Sequence, residues 1–195
     1  PLAGLPDFLD LCKTLAFGDV REKLETLGFN FSSTASPGGS GALFLAANNF
    51  LERGQTALLR DRYWGPYKGF LQNNGQDYVT WPLLPKEPDI NHPYFAKEEF
   101  QTQLDNLCSS QDKVMVWLND PAHNPTGLSM TREGRSACLN SFVNSAIKNE
   151  KIGHTLLIDS AYSLYAAEPH AWADTILEEI EGGLLWPENL LICVA

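Results

Sequence analysis

Apolar positions along the chain follow two rhythms that take turns. "PDFLDLCKTLAFG" (Pro6 to Gly18) places them at helical spacing and closes on glycine. "SGALFLAANNFLERG" (Ser40 to Gly54) repeats that rhythm, with Ser40 as the expected N-cap and Gly54 as the residue past the C-terminus. Helices are also predicted from Pro66 to Gly75, from Ala96 to Ser110, from Thr131 (as cap) to Lys151, and from Ala173 to Glu181. Between them lie short runs with continuous apolar character: Thr56 to Arg60, Asp77 to Leu83, Lys113 to Asn119, His154 to Asp159 and Asn189 to Ala195. Pro85 to Tyr94, rich in Pro, Asp and Asn, is predicted as a loop.

Buried strands alternating with helices imply crossover units. The expected fold class is α/β, a three-layer αβα arrangement with a mainly parallel sheet covered on both faces. Ligands in such sheets bind beyond the carboxyl ends of the strands, so the loops there are where chemistry is to be sought.

Composition narrows the function classes. With 195 residues, 44% hydrophobic and 19% charged, the chain has an ordinary globular composition. Its net charge of −10 and the lack of any dense Lys/Arg cluster argue against nucleic-acid binding. No apolar run is long enough for a membrane span, and no membrane partner is expected. Cys12, Cys108, Cys138 and Cys193 are scattered without ligand spacing. They read as small buried residues in a reducing, cytoplasmic setting, and no metal is expected. The chain starts at Pro1 without an initiator Met and reads as part of a longer polypeptide.

Four strand-end features carry candidate chemistry. "STASPGGSGAL" sets Gly38, Gly39, Ser40 and Gly41 at the opening of a helix, where free amides and the helix dipole suit an anion. A glycine-rich turn with no ligand would read the same way, and neither nucleotide-binding glycine motif is present. "DRYWGPY" puts Trp64 beside Gly65 just past a strand, where an indole can stack on a flat ring or simply cover core. In "WLNDPAHNPTGLS" the strand breaks sharply, and Asn124 precedes Pro125 across a bond that can be cis. Asn124 then offers donors and an acceptor, unless the turn leaves it and His123 in solvent. "LLIDSAYSLY" ends a strand on Asp159, whose buried carboxylate stays charged only beside a cation or strong donors, with Tyr162 within reach. A protonated ring nitrogen would be such a cation.

An anion loop, a ring-stacking Trp, an amide for a phenolic oxygen and an acid for a ring nitrogen are together what pyridoxal 5'-phosphate requires. "PGGSGA", "YWGPY", "HNPTG" and "DSAY", in this order, resemble the large domain of class I aminotransferases (fold type I), in particular the aspartate/aromatic branch. The resemblance runs over nearly the whole chain. It implies a pyridoxal-phosphate-dependent enzyme that moves an amino group between an aspartate-, aromatic- or glutamate-like amino acid and a 2-oxo acid, through imine and quinonoid intermediates. It further implies a homodimer and a role in amino acid metabolism.

By the same resemblance, Gly38, Gly39 and Ser40 hold the phosphate, Trp64 stacks on the ring, and Asn124 and Tyr162 bind the phenolic oxygen. Asp159 pairs with the ring nitrogen, and Tyr67 backs Asp159. Asn124, Asp159 and Tyr162 are the implied catalytic residues. The family's covalent lysine belongs after the strand "NLLICVA"; Lys148 and Lys151 do not fit it. Residues 1–195 are thus expected to be a partial cofactor-binding domain, with the small domain and the lysine segment outside. Two other readings share the scaffold: a pyridoxal-phosphate-dependent β-lyase, and a non-catalytic regulatory or binding domain.

Overall fold

The computed structural model describes residues 3–87 and 89–195. Among the described residues, seven α-helices and five strands follow one another as α1 (Pro6–Phe17), α2 (Val20–Thr26), α3 (Gly38–Phe50), β1 (Thr56–Arg60), α4 (Pro66–Asn73), β2 (Asp77–Trp81), α5 (Lys97–Ser110), β3 (Lys113–Asn119), α6 (Arg132–Lys148), β4 (Gly153–Asp159), α7 (Ala171–Glu181) and β5 (Leu190–Val194). A single turn of 3-10 helix spans Ser163–Tyr165. The strands form one sheet in the order β2-β1-β3-β4-β5, and every pairing is parallel.

Alternation along each strand divides the core in two. Leu58, Val114, Val116, Leu118, Leu156 and Ile158 face one way and pack with α5, α6 and α7 through Phe100, Leu104, Leu139, Phe142, Trp172 and Ile176. Their neighbours Ala57, Leu59, Met115, Trp117 and Leu157 face the other way, onto α3 and α4 through Leu43, Ala47, Tyr67 and Leu71. Successive side chains point to opposite faces of a strand, so a strand buried on both faces must be apolar throughout. This is the three-layer αβα architecture that the continuous apolar runs predict.

Boundaries differ where local chemistry overrides pattern. β2 stops at Trp81, because Pro82 has no N–H to continue the ladder. α6 is capped as expected, with the Gly134 amide donating to Thr131 Oγ1 at 3.0 Å, but it ends at Lys148. α7 opens two residues early, at Ala171. Helix α2 is absent from the sequence reading: it has seven residues and buries only Leu24, too little for a periodic signal.

Ser40 is not the cap of α3. Pro37 takes that position and the helix winds from Gly38, leaving Ser40 exposed in its first turn. Gly41 permits this start, since a Cβ there would lie 2.6 Å from Pro37 Cδ. Gly54 does not close α3 either. The helix yields to an extended Leu51, and the Gly54 amide donates to the Gly75 carbonyl at 2.8 Å in the link to β1. Of the predicted 85–94 loop, Pro88 lies outside the described residues.

The cysteines are free; Cys138 alone is fully buried, while Cys12, Cys108 and Cys193 are half-buried on helices and β5. Among the described residues no helix is long and apolar enough to cross a membrane, and no group of three His, Cys, Asp or Glu side chains is arranged to hold a metal.

Candidate functional site

All five strands run the same way, so their carboxyl ends share one edge. There β4 ends on Asp159, β1 leads into the Trp64 loop, and β3 leads into the turn that carries Asn124. Helix α4 starts at this edge immediately after Trp64, which aims Tyr67 back over the sheet.

Asp159 is 5% exposed. Its Oδ2 accepts the Tyr67 hydroxyl, and its Oδ1 accepts the Ala161 amide at 3.1 Å. Burial pushes the Asp159 carboxyl above the ordinary carboxylate range, while the Tyr67 and Ala161 bonds pull it back. No described lysine, arginine or histidine pairs with it. Burial and the Asp159 charge drive the Tyr67 phenol far above its usual value, so Tyr67 is protonated and donates. The Tyr67 ring rests on Trp117, with centroids 4.3 Å apart, and Trp64 meets its edge at 5.9 Å.

The turn after β3 contains two cis bonds, Asp120–Pro121 and Asn124–Pro125. Asn119, the last residue of β3, joins this turn to β4: its Oδ1 accepts the Asn124 amide at 2.5 Å and its Nδ2 donates to the Asp159 carbonyl at 2.9 Å. The half-buried Asn124 side chain donates to the Tyr162 hydroxyl at 3.3 Å. Tyr162 itself is 40% exposed at the mouth of the site.

Gly38, Gly39 and Ser40 sit at the same edge by a different route. Only residues 51–55 separate α3 from β1, so the C-terminus of α3 lies at the amino edge of the sheet. Thirteen helical residues reach about 20 Å, close to the length of a five- to seven-residue strand, which returns the N-terminus of α3 to the carboxyl edge. No side chain caps α3, and its first-turn amides have no acceptor within the helix.

Asp159, Tyr67, Asn124, Tyr162 and Trp64 therefore converge, with the α3 N-terminus on the same side of the sheet. Lys148, the last residue of α6, and Lys151, in the turn after it, lie at the opposite, amino edge. Sequence reasoning passed over Asn119 and His123. His123 is not in solvent: it is 2% exposed. A signal existed for both, since polar residues bounding a buried strand must find partners.

A model of the family described as aminotransferase class I and II matches residues 7–192. The chain belongs to that family. Among curated relatives, this aminotransferase chain is 29% identical over 170 residues to a mitochondrial aspartate aminotransferase of Schizosaccharomyces pombe, covering 86% of this chain and 35% of the relative. It is 26% identical to the mitochondrial aspartate aminotransferase of Dictyostelium discoideum, covering 99% of this chain and 41% of the relative. Among solved structures, an aminotransferase from Anaerococcus prevotii superposes with a TM-score of 0.81 at 22% identity, over 100% of this chain and 44% of that one. The chain spans about two fifths of the length of the relatives it matches.

Proposed function

We propose that the full-length protein is a pyridoxal-phosphate-dependent aminotransferase acting on an aspartate-, aromatic- or glutamate-like amino acid and a 2-oxo acid. In this reading residues 1–195 form the cofactor-binding part of a longer, homodimeric protein. The covalent lysine and the substrate-carboxylate arginine are supplied from outside these residues.

The observation that carries the reading is Asp159: a carboxyl buried at a strand end, held by a phenol and one amide, with no cation beside it among the described residues. Such a group is completed by a cation that arrives with a ligand. A protonated pyridine nitrogen fits that need, and the uncapped α3 N-terminus suits the phosphate of the same molecule. Bound pyridoxal phosphate supplies an electron sink for the pair released when the substrate loses its α-proton.

The chain's own residues do the rest. Asp159 holds the proton at the ring nitrogen, and Tyr67 keeps that carboxylate oriented. Asn124 and Tyr162, already in contact, present donors to the ring's phenolic oxygen. Trp64 covers a ring face, and Gly38, Gly39 and Ser40 hold the phosphate.

Relatives with both mitochondrial and cytoplasmic names match the chain. The four free thiols support a reducing compartment, which we take to be the cytoplasm.

The test is a visible spectrum of the full-length protein with pyridoxal phosphate, before and after borohydride and then with glutamate. A band fixed by reduction and shifted by glutamate is expected, with release of a keto acid. A cofactor that washes away would overturn the catalytic reading, and release of ammonia would point to elimination instead.

A further inference from the structure

We propose that His123 is a positioning residue whose ring clamps the loop carrying Trp64 to the turn carrying Asn124. The clamp is read from geometry alone, and its effect on cofactor binding rests on the function proposed above.

The backbone of His123 belongs to its own turn, its amide donating to the Leu128 carbonyl at 2.8 Å and its carbonyl accepting the Gly127 amide at 2.6 Å. The ring reaches elsewhere. Nε2 lies 2.8 Å from the carbonyl of Arg62, 61 residues upstream. A carbonyl oxygen only accepts, so Nε2 carries the hydrogen. Nδ1 lies 2.8 Å from Thr126 Oγ1. Burial lowers the ring's pKa to about 4, with the Arg60 charge adding to it against the Arg62 carbonyl and Asp61. The ring is then neutral at physiological pH, and Nδ1 accepts the Thr126 hydroxyl. The Thr126 oxygen in turn accepts the Leu128 amide at 3.3 Å. Each polar atom of the ring has one partner of the right kind.

Position gives this bond its consequence. Arg62 stands two residues before Trp64, and His123 immediately precedes Asn124. Among the described residues no other side-chain hydrogen bond joins residues 61–65 to residues 120–130. The loop's other side-chain ties, Tyr63 to the Tyr78 hydroxyl at 2.9 Å and Asp61 to the Leu83 amide at 2.9 Å, run toward β2 and its exit. Among the described side-chain hydrogen bonds, that of His123 to Arg62 is the direct tie between the loop of the indole and the turn of the amide.

Two variants of the full-length protein separate clamp from core filler. His123→Gln places an amide donor near the position of Nε2 and retains a bond to Arg62. His123→Asn reaches only toward Thr126. Both lose the ring, but Gln fills more of its volume, so packing is controlled by a third variant, His123→Met, which has the length of Gln and no donor: a role in packing alone would leave it like H123Q, and that result overturns the clamp. In the apoprotein, hydrogen exchange of the 62–65 amides is expected to rise about five- to tenfold in H123N and to stay within about twofold of wild type in H123Q. The dissociation constant for pyridoxal phosphate, followed by tryptophan fluorescence, should split the two variants in the same direction. Equal behaviour, or a milder Asn variant, would overturn the clamp. Should both variants fail to fold, nitrogen-15 shifts of wild-type His123 decide it: an Nε2–H tautomer is expected, and an Nδ1–H tautomer rules the clamp out. A wild-type protein that binds no pyridoxal phosphate would instead sink the functional reading, while exchange and tautomer would still judge the clamp.

Discussion

Two aspartates at neighbouring strand ends are buried to nearly the same degree and are completed in opposite ways. Asp120 follows β3 and is 0% exposed, and Asp159 closes β4 and is 5% exposed; Asn119 pairs with Asp159 in the register, so the two carboxyls are one residue apart along the sheet edge. Asp120 turns to the α6–α7 side. Its Oδ1 accepts the Met130 amide at 2.7 Å, its Oδ2 accepts Trp172 Nε1 at 2.9 Å, and Arg135 stands 3.8 Å away. Burial pushes its carboxyl up, against the pull of Arg60, the Met130 amide, Arg135 and the Trp172 indole. Asp159 turns to the α4 side and has a phenol and an amide but, among the described residues, no cation. The protein thus gives one carboxylate its cations from within and leaves the other half-built, without a cation among the described residues, at the carboxyl edge of the sheet. The first ties strand to helices; the second, under the proposed function, is completed by a charge from outside.

Removing each carboxyl should expose this difference. Asp120→Ala leaves Arg60 buried without its counter-ion and Arg135 with Glu168 alone, and should cost about 3–5 kcal/mol in chemical denaturation, with or without cofactor. Asp159→Asn should change apoprotein stability by less than about 1 kcal/mol, because it removes a desolvated charge and keeps an acceptor for Tyr67. The same variant should lose about 2–5 kcal/mol of pyridoxal phosphate affinity by titration. If D159N binds the cofactor like wild type, the half-built pair is not the cofactor's partner. Tyr67→Phe strips Asp159 of its side-chain donor and should weaken cofactor binding by about 1 kcal/mol, with the melting temperature lowered only modestly.

The smallest effect is in the pH dependence of the apoprotein. Asp159 has a folded-state pKa above its ordinary value of 3.8, so the folded chain holds this proton more tightly than the unfolded one. Its stabilising contribution is present below that value and is lost as pH rises toward the raised pKa. The stability of wild type relative to D159N should therefore fall over that window and then level off. A flat difference across denaturation curves at several pH values would remove desolvation as the dominant influence on Asp159.

Much of this was legible from residue order. The runs "TALLR", "KVMVWLN" and "HTLLID" read as buried strands because a parallel sheet with helices on both faces leaves no polar alternation. The Thr131 cap, Pro66 at the start of α4 and the break at Pro82 are local rules that need no tertiary contact. The start of α3 was misread because Ser40 is a good cap in isolation; the approach of Pro37 to Gly41, which sets the true start, is not a sequence signal.

Within the site, the division follows distance along the chain. Asp159, Asn124, Tyr162 and Trp64 announce themselves as polar or aromatic residues at strand ends, which periodicity locates. Their partnerships do not: the resemblance alone implies that Tyr67 backs Asp159, 92 residues away, and nothing in the residue order shows that Asn119 meets the Asp159 carbonyl across 40 or that His123 meets Arg62 across 61. Element types, the sheet's parallel character and the residues at its carboxyl edge are readable from residue order, because they depend on short-range sterics and burial period. Which buried polar group finds which partner is settled by the assembled fold. Hydrogen bonds over such separations exist only after β1, β3 and β4 align in register, and no local pattern encodes that meeting.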